Sequence, residues 1–258
     1  MNKLSILVLM SILPVLAQSP FAGTWRADLS QSQWPQKPFQ YELANGTFKL
    51  LHSDPPVAVP ADGRDHAVSG HPSYDSVNVR VIDEYTVEVI RKRAGKLYVN
   101  ENFKVAPDHM SVADSFSIYP EAGKPGHVTA TLRRIGKSVP GAHALSGAWI
   151  QENAESVSEH LISFTITDTP DGGVDVRAAT GEHYQAKFDG KEYPYEGDPE
   201  IDTVVLKRPQ PRVLEETLKR NGKIQRVTLM TVSEEGTTLT MDIHEHGGWQ
   251  SKYVWKKQ

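Results

Sequence analysis

The sequence predicts an all-β chain: two tandem antiparallel up-and-down β-barrel units of about eight strands each, behind a cleaved leader. Three observations predict it. Apolar residues alternate with polar ones at period two, and helical periodicity is nearly absent. Gly-containing turn dipeptides recur at strand spacing. One stretch of the chain repeats in the other half.

Residues 1–17 read as a secretory signal peptide. Lys3 supplies the positive start, Leu4–Leu13 the apolar stretch, and Pro14 precedes Val15-Leu16-Ala17, whose small residues suit signal peptidase. The apolar run is short of the roughly 20 residues that span a bilayer. The expected mature chain therefore begins at Gln18, carries no transmembrane segment, and is periplasmic or extracellular. Losing Lys3 makes the formal net charge of -4 one unit more negative. No cysteine is present, which excludes disulfides, thiolate metal sites and a cysteine nucleophile. Without a concentrated basic face, nucleic acid is not an expected partner.

In the first unit, residues 18–140, the alternating runs are Val77-Val79-Val81, Val87-Val89 and Val128-Ala130-Leu132. In the second, residues 141–258, they are Ile162-Phe164-Ile166, Val174-Val176-Ala178, Tyr184-Ala186-Phe188 and Leu239-Met241-Ile243. One apolar and one polar face per strand marks antiparallel sheet. Asn45-Gly46, Asp62-Gly63, Asp189-Gly190 and Asn221-Gly222 favour tight hairpins. Gln151–Leu161 is the one stretch expected to form a short helix. Leu51–Ala61, with Pro55, Pro56 and Pro60, reads as a long connection available to a protein partner.

The internal match is dense. Phe21-Ala22-Gly23-Thr24-Trp25 and Leu145-Ser146-Gly147-Ala148-Trp149 share apolar-x-Gly-x-Trp at a spacing of 124 residues. Residues 62–96 and 189–223, at an offset of 127, share 11 of 35 positions, including Asp62/Asp189, Gly70/Gly197, Asp75/Asp202, Lys92/Lys219 and Gly95/Gly222. The two units are read as homologous, meeting near Pro140-Gly141.

The Gly23-x-Trp25 and Gly147-x-Trp149 openings resemble those of lipocalin-type (calycin) barrels. The segment from Asp189 through Tyr193, Tyr195 and Asp198 to Asp202 is similar to one found in exported bacterial lipocalin-like proteins that are largely uncharacterised. The resemblance covers nearly all of residues 18–258. It implies a barrel whose tryptophan packs across the closed end beside a basic residue of the last strand, a place held by Arg133 or Arg134 and by Lys256 or Lys257. It also implies a binding protein for a small apolar or amphipathic molecule.

Candidate site residues follow from chemistry and position. Tyr193, Tyr195, Asp198 and Asp202 would form a binding rim, joined by Trp249 after the Gly247-Gly248 turn. Asp198 and Asp202 could serve calcium, but their spacing supplies too few oxygens. Asp242-x-His244-x-His246 has metal-ligand spacing on a strand, with His183 or His160 as a further ligand. Leu239, Met241 and Ile243 claim the apolar face, however, which puts those histidines on the solvated side; no metal and no cofactor is expected. There is no Gly-x-Ser-x-Gly elbow, His-Glu-x-x-His or phosphate loop. Asp114, on the apolar Val112-Phe116-Ile118 face, is the first inward ionisable residue to inspect. The expected function is an exported small-molecule binding protein, with an envelope scaffold and a barrel enzyme as the alternatives.

Overall fold

The computed structural model describes residues 19–121 and 123–258, so the signal peptide and the Gln18 start lie outside the described residues. Among the described residues twenty strands form two antiparallel sheets. The first half holds β1 (Gly23–Gln33), β2 (Phe39–Ala44), β3 (Thr47–Leu50), β4 (Val57–Pro60) and β5 (Asp62–Ala67). It continues with β6 (Ser76–Val81), β7 (Thr86–Arg93), β8 (Lys96–Val105), β9 (Ser111–Ile118) and β10 (Gly126–Ile135). The second half holds β11 (Gly147–Val157), β12 (Ser163–Asp168), β13 (Gly173–Ala178), β14 (His183–Lys187) and β15 (Asp189–Glu196). It ends with β16 (Thr203–Gln210), β17 (Val213–Arg220), β18 (Lys223–Val232), β19 (Thr238–Glu245) and β20 (Trp249–Lys257).

The opening strand of each half belongs to the other half's sheet. β1 lies between β12 and β20 and closes a ten-stranded barrel, β1 with β12–β20. β11 lies between β2 and β10 in the second sheet, which comprises β2–β11. The barrel is closed between β14 and β15 by the pairs His183↔Glu196 and Tyr184↔Tyr195. In the first-half sheet the corresponding strands β4 and β5 are unpaired edges. Register explains the difference: Leu50↔Val57 and Val176↔Tyr184 make Pro56 the counterpart of His183, and proline has no N–H to donate.

Each sheet therefore has ten strands where about eight were expected. β5 is almost wholly exposed and shows no apolar alternation, and β15 half-buries only Tyr193 and Tyr195. Leu51–Ala61 is also not a free connection. It contains β4, whose Val57 and Val59 are buried in the first core. The helix expected over Gln151–Leu161 is absent: β11 runs through to Val157, and only Glu159–Ile162 coils, as a 3-10 turn.

Both sheets are shut at one end by the same device. Trp25 and Trp149 are fully buried, and their indole N–H groups donate to Phe21 O at 2.7 Å and Leu145 O at 2.8 Å. Lys257 Nζ lies 5.2 Å from the Trp25 ring centre, and the Arg134 guanidinium 4.0 Å from that of Trp149. The tryptophan of one half thus meets the base of the opposite half. Arg134 further donates to the carbonyls of Ala144, Ser146 and His109 at 2.5–2.7 Å. Arg133 instead pairs with Glu152, and Lys256 with Thr238. The motif glycine is required twice over. Gly23 and Gly147 have φ of 140° and 137°, and a Cβ would stand 2.4 Å from Lys257 Cε or Arg134 Nη1.

The residues shared between the halves serve turns and ladders. Asp75 and Asp202 accept from the backbone N–H of Ala94 and Asn221, each at φ 48°, and each followed by a glycine of positive φ. Asp62 and Asp189 accept from the N–H of Arg64 and Lys191. Lys92–Asp65 and Lys219–Glu192 are corresponding ion pairs, both at 2.6 Å. Ser73 and Glu200, 127 residues apart, touch: Ser73 N donates to Glu200 Oε1 at 3.1 Å. Corresponding segments of the two halves therefore touch at this point.

Trp25→Ala is expected to cost about 3–5 kcal/mol. Its effect should fall on the sheet of the opposite half, with hydrogen-exchange protection lost first in β12 and β20. Loss confined to residues 39–135 would show that β1 does not complete the C-terminal barrel in solution.

Candidate functional site

The barrel of β1 and β12–β20 holds a cavity of about 480 Å³. Its inner wall is the apolar row of successive strands: Phe164 and Ile166 on β12, Val176 and Ala178 on β13, Met230 on β18, Met241 and Ile243 on β19. β1 adds Ala27 and Leu29, followed by Trp34. The mouth is flanked by Leu161 and Ile162 of the 3-10 turn. It is partly covered by Phe116, Val128 and Val157 from the ends of β9, β10 and β11. Both halves therefore build the site.

A compact polar group interrupts this apolar surface. Tyr184 donates its hydroxyl proton to Glu216 Oε1 at 2.7 Å, with both side chains buried. The Arg226 guanidinium stands 4.0 Å from Glu216 Oε2, and buried Thr228 is the next inward residue on β18. Tyr195 packs on Tyr184 at a ring separation of 5.6 Å. Burial, and then the Glu216 charge, push both phenols far above their ordinary range. Burial, the largest single effect, would lower the Arg226 guanidinium, but Glu216, Tyr195, Glu245 and Asp198 together outweigh it and the group is raised.

The sequence candidates divide. Tyr195 and Asp198 line the cavity, Asp198 at the mouth with one oxygen accepting from Glu200 N at 2.8 Å. Tyr193 donates to Asp189 Oδ2 at 3.1 Å, and Asp202 holds the turn at Asn221; neither is part of the cavity lining. Trp249 sits on Phe39 of the other sheet at 5.0 Å with Lys37 Nζ 5.1 Å from its ring centre, so it joins the halves. His244 is exposed, and His246 lies 3.5 Å from Asp54. His183 lies between Asp175 and Glu196, and His160 meets Lys124 O, so these four histidines are not brought together. Among the described residues no group of three or more His, Asp or Glu could hold a metal.

Glu216 escaped the sequence reading although its signal was present: it interrupts the apolar row Leu214-x-Glu216-x-Leu218. The same logic that singled out Asp114 applies to it, and to Glu101 within Val99-x-Glu101-x-Phe103. The first sheet holds a different buried polar group. Arg91 Nη2 donates to Glu101 Oε2 at 2.8 Å, beside Asp114, whose Oδ1 has no partner. Tyr41 packs against Phe103 at 5.0 Å and Phe48 at 6.3 Å in that interior. By strand register Glu101 corresponds to Thr228 and Asp114 to Met241, so the two interiors do not repeat one another.

Burial, and then the neighbouring Glu101 charge, raise the Asp114 carboxyl well above its usual range, against a smaller opposing effect of Arg91. A carboxyl raised in the folded state favours folding only while protonated. Stability is therefore lost as pH rises above about 4, the unfolded value, toward the folded one. Asp114→Asn is expected to stabilise the protein by about 1–3 kcal/mol at neutral pH. The gain should shrink toward zero near about pH 3, below the unfolded value. Denaturant unfolding of both proteins at the two pH values measures this, and equal stability at neutral pH would contradict it.

Comparison with protein-family models, curated proteins and solved structures returns no match for the chain, so the functional reading rests on its own geometry.

Proposed function

We propose that the chain is an exported protein of lipocalin-like type that binds a small, mainly apolar molecule in the cavity of its second barrel. The observation carrying this reading is the cavity itself. Its volume of about 480 Å³ lies within the range of small-molecule sites, and its wall is apolar with one convergent polar group. Export is supported by the Lys3, Leu4–Leu13 and Val15-Leu16-Ala17 pattern. Homology of the halves is supported by their repeated residues and by two sheets that correspond strand by strand. A second reading, a barrel enzyme, draws on one observation: Tyr184 and Glu216 are ionisable, buried and 2.7 Å apart in the cavity.

A neutral apolar fluorophore, N-phenyl-1-naphthylamine, is expected to bind with one-to-one stoichiometry and a rise in emission. Ala178 lines the cavity without being fully buried, so Ala178→Trp should block the site at little cost to the core. Binding should weaken by about tenfold or more, the loss of a good contact surface. An unchanged affinity in this variant would place the probe elsewhere.

A further inference from the structure

Seven aromatic side chains line the cavity: Trp34, Phe116, Phe164, Tyr184, Tyr195, Tyr253 and Trp255. Its charged lining is unequal, with Glu182, Asp198 and Glu216 set against Arg226 alone. We infer that the ligand is an amphipathic amine, an apolar or aromatic body carrying a cationic head toward Glu182 and Asp198. This deepens the proposed function and rests on its reading of the cavity as a ligand site.

Three features support the cationic head. First, position: Glu182 and Asp198 are half-buried at the mouth, whereas Glu216 is deeper and already held by Tyr184 and Arg226. An apolar body lying on Met230, Met241 and Phe164 therefore leaves its head at the two mouth carboxylates. Second, field: the carboxylates Glu216, Glu182 and Asp198 all act on the Tyr195 phenol, and Arg226 alone opposes them. At Tyr98, across the mouth, Asp198, Glu200 and Glu182 act in the same direction. Glu182 and Asp198 also border an outer cleft that holds Arg93 and Lys96, but neither of those bases is part of the cavity lining. Third, Tyr195, whose phenol feels both Glu182 and Asp198, offers a ring face, and ring faces attract cations. A fatty-acid carboxylate placed in the same way would meet two like charges at the mouth and a third below them.

The test uses three probes with one ten-carbon chain: decylamine, decanol and decanoate. Each displaces N-phenyl-1-naphthylamine from the intact protein at neutral pH and low ionic strength, below its micelle concentration. Decylamine should bind tightest and decanoate weakest, with about tenfold between them, the scale of one or two partly screened ion pairs. In the double variant Glu182→Gln/Asp198→Asn, which keeps the acceptors used by Thr180 and Glu200, that ratio should fall to about threefold or less. A circular-dichroism melt confirms that the variant is folded. Decanoate binding as well as decylamine overturns the cationic assignment and leaves the cavity reading standing. A ratio unchanged in the folded double variant overturns the role of Glu182 and Asp198. Failure of the naphthylamine and all three probes to bind removes the cavity reading and this inference with it.

Discussion

Neither half of this chain can satisfy its own hydrogen-bond ladder. β12 and β20 each need β1 alongside, and β2 and β10 each need β11. Without the exchanged strand, each sheet would expose two long edges of unpaired N–H and C=O groups, and such edges are costly to bury and prone to aggregate. The exchange also fixes the closed ends. Trp25 can cap a barrel only where Lys257 crosses it, and Trp149 only where Arg134 does, and both bases come from the opposite half. Folding of the two halves is thereby coupled through backbone pairing and through their most buried aromatic residues.

Most of the β character was legible in the sequence because half-buried strands print their faces as alternation. Leu239-Met241-Ile243 and Val174-Val176-Ala178 occupy the expected faces. Strand count was not legible, since β5 carries no apolar row and β15 only the pair Tyr193 and Tyr195. The exchange was invisible for a different reason: Gly23-x-Trp25 and Gly147-x-Trp149 are interchangeable motifs. A strand that pairs with the other half has the same alternation and the same glycine as one that pairs with its own.

The positions shared by the halves mark structural work. Asp75 and Asp202, Gly95 and Gly222, and Lys92 and Lys219 hold turns and ladders on the outside of the sheets. The interiors carry the differences. Arg91, Glu101 and Asp114 face Tyr41 in one, while Tyr184, Glu216 and Arg226 face Tyr195 in the other. Of the rim candidates, Tyr195 and Asp198 were reachable from sequence because their segment is compact. Glu216, Arg226 and Tyr184 come from three strands, and only the register brings them together. Tyr184 opens the apolar row Tyr184-x-Ala186-x-Phe188, and Glu216 is a charge inside the row Leu214-x-Glu216-x-Leu218, but neither row shows that they meet.

The cavity inherits its construction from the exchange. Ala27, Leu29 and Trp34 reach it from the N-terminal half because β1 lies in the second barrel. Val157 reaches it because β11 leaves the second half for the first sheet. Val128 completes the mouth from β10, the partner of β11, and Phe116 from β9, the next strand along. An occupant of this space touches both exchanged strands at once. Any free energy it gains on binding the folded state adds directly to the stability of the junction, by RT ln(1 + [L]/Kd). Opening the junction, in turn, removes part of the cavity wall. Under the proposed binding function, occupancy of the cavity and association of the halves form one linked equilibrium, set by strands whose alternation alone does not tell which sheet they join.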